Sequence, residues 1–181
     1  MEDSADLVEE VSAVVAQAEA GNMVQLVPYQ TSHFDELNSF QLDETQSKFT
    51  ASVYENIVNR KIETIPGKFP VTILHDEIPV GFFILDDSDE KTIFTADENA
   101  VLLRSLSLNP KYQGKGIGKD TMILMDDFVR NQFPHRTHIT LAVNARNEHA
   151  IQLYVKTGYQ NTNRTYDGSI GPQFILSKQV N

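Results

Sequence analysis

The residues of clearest chemical interest are Gln113-Gly114-Lys115-Gly116-Ile117-Gly118-Lys119. They lie between a run of β character ending at Leu108 and a helical pattern starting at Ile117. Glycines there let the backbone approach a ligand closely, and free N–H groups at a helix start, aligned with its dipole, hold an anion. Two commoner phosphate patterns fail on spacing. A dinucleotide fingerprint counted from Gly114 has its second glycine at Gly116 but meets Lys119 where the third belongs. A P-loop with Gly118-Lys119 as its GK needs glycine at 113 and Ser or Thr at 120, where the chain has Gln113 and Asp120. A structural turn without ligand is the alternative for the loop taken alone. Further along, Asn147 is of the type that caps a helix N-terminus. Tyr154, seven residues later and nearly two turns on, projects from the same general face.

What is left in the loop, Gln-x-x-Gly-x-Gly, resembles the pyrophosphate-binding motif of the GNAT superfamily of N-acetyltransferases, and the resemblance extends both ways. Upstream, Arg104-Ser105-Leu106-Ser107-Leu108-Asn109-Pro110-Lys111-Tyr112 is similar to the family's strand and Pro-containing lead into the loop. Downstream, Asn144-Ala145-Arg146-Asn147-Glu148-His149-Ala150 and Leu153-Tyr154 to Gly158-Tyr159 are similar to its second signature. The matched stretch, Ala100 to Tyr159, is about a third of the chain. The resemblance implies acetyl-CoA as cosubstrate, with no metal. It assigns backbone groups of Leu106 and Leu108 to the pantetheine arm, which lies where the strand ending at Leu108 splays from the strand ending near Val143. It assigns N–H groups of Gln113, Gly114, Lys115, Gly116, Ile117, Gly118 and Lys119 to the pyrophosphate, with added charge from Lys119 and a weak contact from an exposed Lys115. Asn147, and Asn144 as second candidate, would meet the cofactor arm, and Tyr154 would protonate the departing thiolate. Capping alone is the bland role of Asn147; packing with the hydroxyl at the rim is that of Tyr154.

One departure concerns the base. Some members carry a glutamate in the strand before the loop, but Val101 to Leu108 contains no acid, only Arg104, Ser105 and Ser107. Asp97 and Glu98 precede that strand and read as a solvated turn, so water relayed by Ser107 or a backbone carbonyl is the preferred proton route. His135 and His138 have no nearby carboxylate to complete a metal site, and His149 reads as exposed. Phe40-Gln41-Leu42-Asp43-Glu44-Thr45-Gln46-Ser47-Lys48-Phe49 loosely resembles the acceptor segment of the polyamine-acetylating branch. Asp43 and Glu44 would receive a polyamine or another small cationic primary amine; acids favoured at a helix start are the simpler reading. A catalytically silent acyl-CoA-binding module is the alternative function.

Composition narrows the rest. Residues 1–47 carry ten Asp and Glu and no Lys or Arg, whereas residues 48–181 carry fifteen of each sign, so the net charge of −10 is entirely N-terminal. Such a balance opposes nucleic-acid binding and favours a cationic partner, or serves solubility. No apolar run reaches the roughly 18 residues a bilayer span needs, and the acidic start is unlike a signal peptide, so a cytoplasmic protein is expected, with no membrane partner. The absence of cysteine removes disulfides and thiol nucleophiles. A homodimer is compatible with the sequence, which does not fix the oligomeric state.

The elements that must position these residues follow from periodicity. Residues 1–22 read as an acidic amphipathic helix (4–20) or tail, with an acetyltransferase domain over 23–181. Within it the pattern predicts a strand at Met23 to Tyr29, helices at Thr31 to Gln41 and Thr45 to Ile62, and a hairpin of Val71 to Leu74 with Val80 to Leu85 turning at Asp76-Glu77. Then come a strand at Ala100 to Leu108, a helix at Ile117 to Asn131, a strand at His138 to Val143, a helix at Glu148 to Lys156 and a strand at Phe174 to Leu176. Strands followed by βαβα and a closing strand argue an α/β (α+β) fold. The expected core is a mixed, mostly antiparallel central sheet with helices on both faces, as the resemblance also implies.

Overall fold

The computed structural model describes residues 23–180. The helix expected at 4–20, and the boundary at residue 22, lie outside the described residues. The chain forms one seven-stranded sheet in the order β1-β2-β3-β4-β5-β7-β6. The strands are β1 (Val24–Pro28), β2 (Lys68–His75), β3 (Ile78–Asp86), β4 (Ala100–Leu108), β5 (His138–Asn144), β6 (Gln160–Gly168) and β7 (Gly171–Gln179). Every pairing is antiparallel except β4 with β5. The helices are α1 (Phe34–Ser39), α2 (Ile117–Gln132) and α3 (Glu148–Lys156). The expected mixed sheet with helices on both faces is therefore the observed one.

The two faces are written into β3. Because successive strand residues point to opposite sides, Phe83 and Leu85 join the core beneath α2 and α3, while Phe82 and Ile84 join a second core with Leu37, Val53, Ile57 and Ile62. A strand buried on both faces reads as the continuous apolar run Val80 to Leu85. Helix α2 buries Ile117, Thr121, Met122, Met125, Phe128 and Val129, a helical stripe, and packs on β1. The hairpin turns on Asp76 and Glu77, with φ of 50° and 65°; two left-handed central residues give the turn whose twist matches the flanking strands.

Two expectations are corrected. The helix predicted from Thr45 to Ile62 is broken into a 3-10 turn at Gln46–Lys48, a π-type turn at Glu55–Asn59 and another 3-10 turn at Ile62–Thr64. Its polar side chains capture backbone groups a continuous helix would use: Gln46 N–H donates to Asp43 Oδ1 (2.7 Å), Glu55 N–H to Ser52 Oγ (3.1 Å), and Asn56 Nδ2 to the Ser52 carbonyl (3.0 Å). The second correction is β6, which the pattern leaves as loop. Its residues are mostly exposed and polar, its pairing with β7 shifts between Asn161 and Thr165, and Asn163 sits at φ 60°. An edge strand facing water carries no apolar alternation to read.

Where β2 begins and β3 ends, Lys68 and Asp86 are buried together, with side chains 3% and 0% exposed. Lys68 Nζ donates to Asp86 Oδ2 and to Glu90 Oε2 (2.6 Å), and Arg104 Nη1 reaches the same two oxygens at 2.9 and 3.2 Å. Burial alone would raise the Asp86 pKa, but hydrogen bonds from Lys68, Ser88 and Arg104 outweigh it and hold the carboxyl below its ordinary value. Because the folded-state value is depressed, its contribution is present above the unfolded value of about 3.9 and fades as pH falls through the folded one. Asp86→Asn leaves the Lys68 ammonium buried without its nearest counter-charge and should cost about 3 kcal/mol or more at neutral pH, read from the urea unfolding free energy.

Candidate active site

The site begins where the sheet stops being continuous. Strands β4 and β5 pair only from Ala100 with His138 to Leu103 with Leu141. Beyond that, β5 keeps its other neighbour, pairing Ala142, Val143 and Asn144 with β7, while β4 bends away. The bend coincides with Ser105 at φ 54° and with a register shift against β3 between Phe82 and Ile84. A bulge with a left-handed residue turns a strand and ends its pairing on one side. The opening is a cleft of about 990 Å³, walled by residues 103–108 on one side and by 141–144 and the start of α3 on the other.

The glycine loop closes one end. Gly114 and Gly116 have φ of +74° and +88°, and Gly116 is the N-cap of α2. Gln113, Gly114, Gly116, Gly118 and Lys119 line the cleft, together with Leu106, Leu108, Asn144, Asn147 and Tyr154. Two residues of the expected set turn their side chains elsewhere. Lys115 lies over the Tyr112 ring, its Nζ 5.2 Å from the centroid, and Ile117 is buried at 2% exposure, so neither is among the residues lining the cleft. Gln113 Nε2 donates to the Leu108 carbonyl at 2.9 Å, tying the loop back to the end of β4.

The two asparagines differ in what they have left. Asn144 Oδ1 accepts from Arg146 N–H (2.9 Å) and its Nδ2 donates one hydrogen to the Ile170 carbonyl (3.3 Å), so both ends of its amide help shape the turn. Asn147 caps α3 by accepting from Ala150 N–H at 3.2 Å through Oδ1, and it lines the cleft. Tyr154 is 8% exposed and packs at 5.7 Å against the Tyr159 ring. Burial pushes its pKa up to about 12, so the phenol keeps its proton throughout the neutral range.

The acids sort differently from the sequence reading. Asp43 lines the cleft, whereas Glu44 is turned to Lys48 (3.5 Å) on the exposed side of its turn, the Glu44 side chain 90% exposed. Asp97 is held by Asn99 N–H (2.9 Å) and lies 3.0 Å from His138 Nδ1, away from the cleft. Ser107 lines the cleft, nearly buried. His149 lines it as well, with its ring partly in solvent, and no cluster of His, Asp or Glu suited to a metal occurs among the described residues. Cleft residues that motif reading passes over include Gln46, Phe49, Thr50, Thr121 and Arg146. Arg146 stands inside the second signature, and Gln46 and Phe49 inside the acceptor-like segment Phe40 to Phe49; Thr50 and Thr121 carry no such signal. On the far face of β4, a second hollow of about 340 Å³ is lined by Asn56, Arg60, Lys68, Glu90, Arg104 and Ser105, with isoleucines beneath.

A seven-stranded sheet in this order, parted once between its two parallel strands and covered by helices on both faces, defines an acyl-CoA N-acyltransferase fold. Residues 33–159 match the Acetyltransferase (GNAT) family, and the chain belongs to that family as an N-acetyltransferase. It is 40% identical over 155 residues to the uncharacterized N-acetyltransferase YbbJ of Bacillus subtilis (strain 168), covering 84% of this chain and 95% of that protein. Among solved structures it is similar to the aminoglycoside acetyltransferase AAC(6')-Ib in complex with coenzyme A and kanamycin, with a TM-score of 0.70 at 18% identity over 87% of this chain and 95% of that one. It is also similar to spermidine N-acetyltransferase from Vibrio cholerae in complex with CoA and spermine, with a TM-score of 0.66 at 12% identity over 87% and 95%. At these identities the two structures share the fold. Among the described residues no helix is long and apolar enough to cross a membrane.

Proposed function

We propose that this enzyme transfers the acetyl group of acetyl-CoA to the primary amine of a small cationic molecule by direct attack, with polyamines the first class to test. The observation that carries the reading is the cleft, one lane running from a glycine cradle at a helix start, between the parted strands β4 and β5, to a buried phenol. The cradle suits a pyrophosphate. A Cβ built on Gly114 or Gly116 meets nothing within 4 Å, so open space stands over both residues where α2 begins. Lys119 and Arg146 add positive charge to the lining.

Bound acetyl-CoA supplies a thioester carbonyl that an unprotonated amine can attack. The chain's part is to hold and polarise it. Backbone N–H groups from Gly114 to Lys119 receive the phosphates, the Gln113 N–H being held by the Pro110 carbonyl at 3.2 Å; the backbone of Leu106 and Leu108 and the amide of Asn147 orient the arm, and a strand N–H meets the developing oxyanion. Tyr154 donates to the leaving sulfur. Its high pKa keeps the donor protonated, and the burial that raises the phenol also raises the basicity of a thiolate released beside it. A cysteine-free sequence excludes a thiol acyl-enzyme and supports direct attack. The proton lost by the amine leaves through water past Ser107. Support for a cationic acceptor comes from Asp43 on the cleft wall, the acidic balance of the chain, and the polycationic amines bound by the two structural neighbours.

Gly116→Ala should raise the Kd for CoA by about tenfold or more, measured by calorimetry, because a methyl group enters the cradle; the left-handed φ adds about 1 kcal/mol of folding cost. Tyr154→Phe should lower kcat by about 100-fold while the Kd for CoA moves less than about threefold. In the parent enzyme no loss of kcat assignable to this phenol should appear below about pH 10. Equal losses of turnover and affinity in Tyr154→Phe would refute the acid role. A thiol-release panel of spermidine, spermine, kanamycin, amino acids and peptide N-termini should show the polycationic amines turned over first. CoA binding without thiol release on any amine would instead mark a binding module.

A further inference from the structure

The segment from Leu42 to Thr50, which lines the cleft, is held by an unusual tie. Gln46 Nε2 donates to Gln113 Oε1 at 2.9 Å, and Gln113 Nε2 donates back to Gln46 Oε1 at 3.2 Å. Two primary amides thus form a closed, reciprocal pair across 67 residues of sequence, half shielded from water. The rest of Gln46 is equally committed: its N–H donates to Asp43 Oδ1 at 2.7 Å and its carbonyl accepts from Phe49 N–H at 2.9 Å. Gln113, for its part, opens the glycine loop and also holds the Leu108 carbonyl. One side chain therefore joins the turn that aims Asp43 into the cleft to the loop that faces the anion.

Few other polar bonds anchor this wall. Ser47 Oγ and Lys48 Nζ both turn back to Glu44 within the same turn, and Thr50 Oγ1, buried against the cleft, has no partner among the described residues. The segment is a chain of short turns rather than a helix, so its internal bonds resist displacement weakly. Anything that fixes Gln113 fixes Gln46 through two hydrogen bonds that can form only with both amides in register.

We propose that Gln46 is a positioning residue that couples cofactor loading to the acceptor wall: when CoA fixes the glycine loop, the Gln46–Gln113 amide pair fixes residues 43–50 and the Asp43 carboxylate with them. The inference rests on the cofactor reading above. It gives a residue outside either motif a defined part in the reaction, and it makes cofactor binding the step that completes the acceptor site.

Hydrogen–deuterium exchange of the 43–50 peptide, with and without saturating CoA, tests it in the full chain alongside calorimetric Kd values for CoA. In the parent protein CoA should slow exchange across 43–50. Gln46→Leu, of similar size but without the amide, should speed exchange there by roughly fivefold to tenfold without ligand and abolish the CoA effect. Its Kd for CoA should stay within about threefold, because the loop N–H groups are intact. Gln46→Glu, which can accept from Gln113 but not donate, should fall between. Exchange in ligand-free Gln46→Leu equal to the parent, or CoA slowing both proteins alike, would overturn the coupling. If the parent fails to bind CoA, the cofactor reading falls instead, and the ligand-free comparison alone decides whether Gln46 ties the wall.

Discussion

The whole arrangement depends on one broken pairing. Parallel strands β4 and β5 share four residue pairs and then separate, so a gap stands in the middle of a sheet whose interior strands would otherwise hydrogen-bond along their full length. Such a gap persists only when other contacts compensate. Here β5 stays anchored through β7, β4 stays anchored through β3, and Ser105 absorbs the turn in a conformation unfavourable for a non-glycine residue. The loop, the helix starts and the tyrosine matter because they are aimed at that gap.

Stability and chemistry meet at the same place. Arg104, one residue before the bulge, belongs to the buried ionic cluster with Asp86, Lys68 and Glu90, and it also lines the cleft. The cluster pins the strand immediately before it bends, and the apolar stack of β3 behind it reaches both cores. Beside this ionic support, the lining from Leu42 to Thr50 is built only from short turns.

The parts legible in sequence are those where local pattern and tertiary environment agree. Helix α3 is read to the residue because Asn147 caps it, and Gly158 follows its end; β4 is read in full because its apolar run meets buried surroundings on both faces. The hairpin is legible from two polar residues between apolar runs. What escapes reading has a common cause. The 45–62 segment has helical spacing, but Asp, Ser and Asn side chains compete for its backbone; β6 has no buried face; and the cleft wall at Gln46 is created by a partner 67 residues away. Motifs mark residues whose backbone geometry repeats across a family, and they leave unmarked the side chains that meet only once the chain has folded. Asp43 and Glu44 illustrate the difference: adjacent in sequence, they end on opposite sides of one turn.

The form of β6 sets a limit on what can lie beside it. An incoming strand needs an evenly spaced row of N–H and C=O groups, and the shifted register between Asn161 and Thr165, with Asn163 in the left-handed region, interrupts that row in its middle. The sheet therefore terminates at β6 by geometry. A neighbouring molecule approaching this edge meets a polar, uneven ridge instead of a template, which guards an exposed margin against the chain-to-chain zippering that open sheets invite.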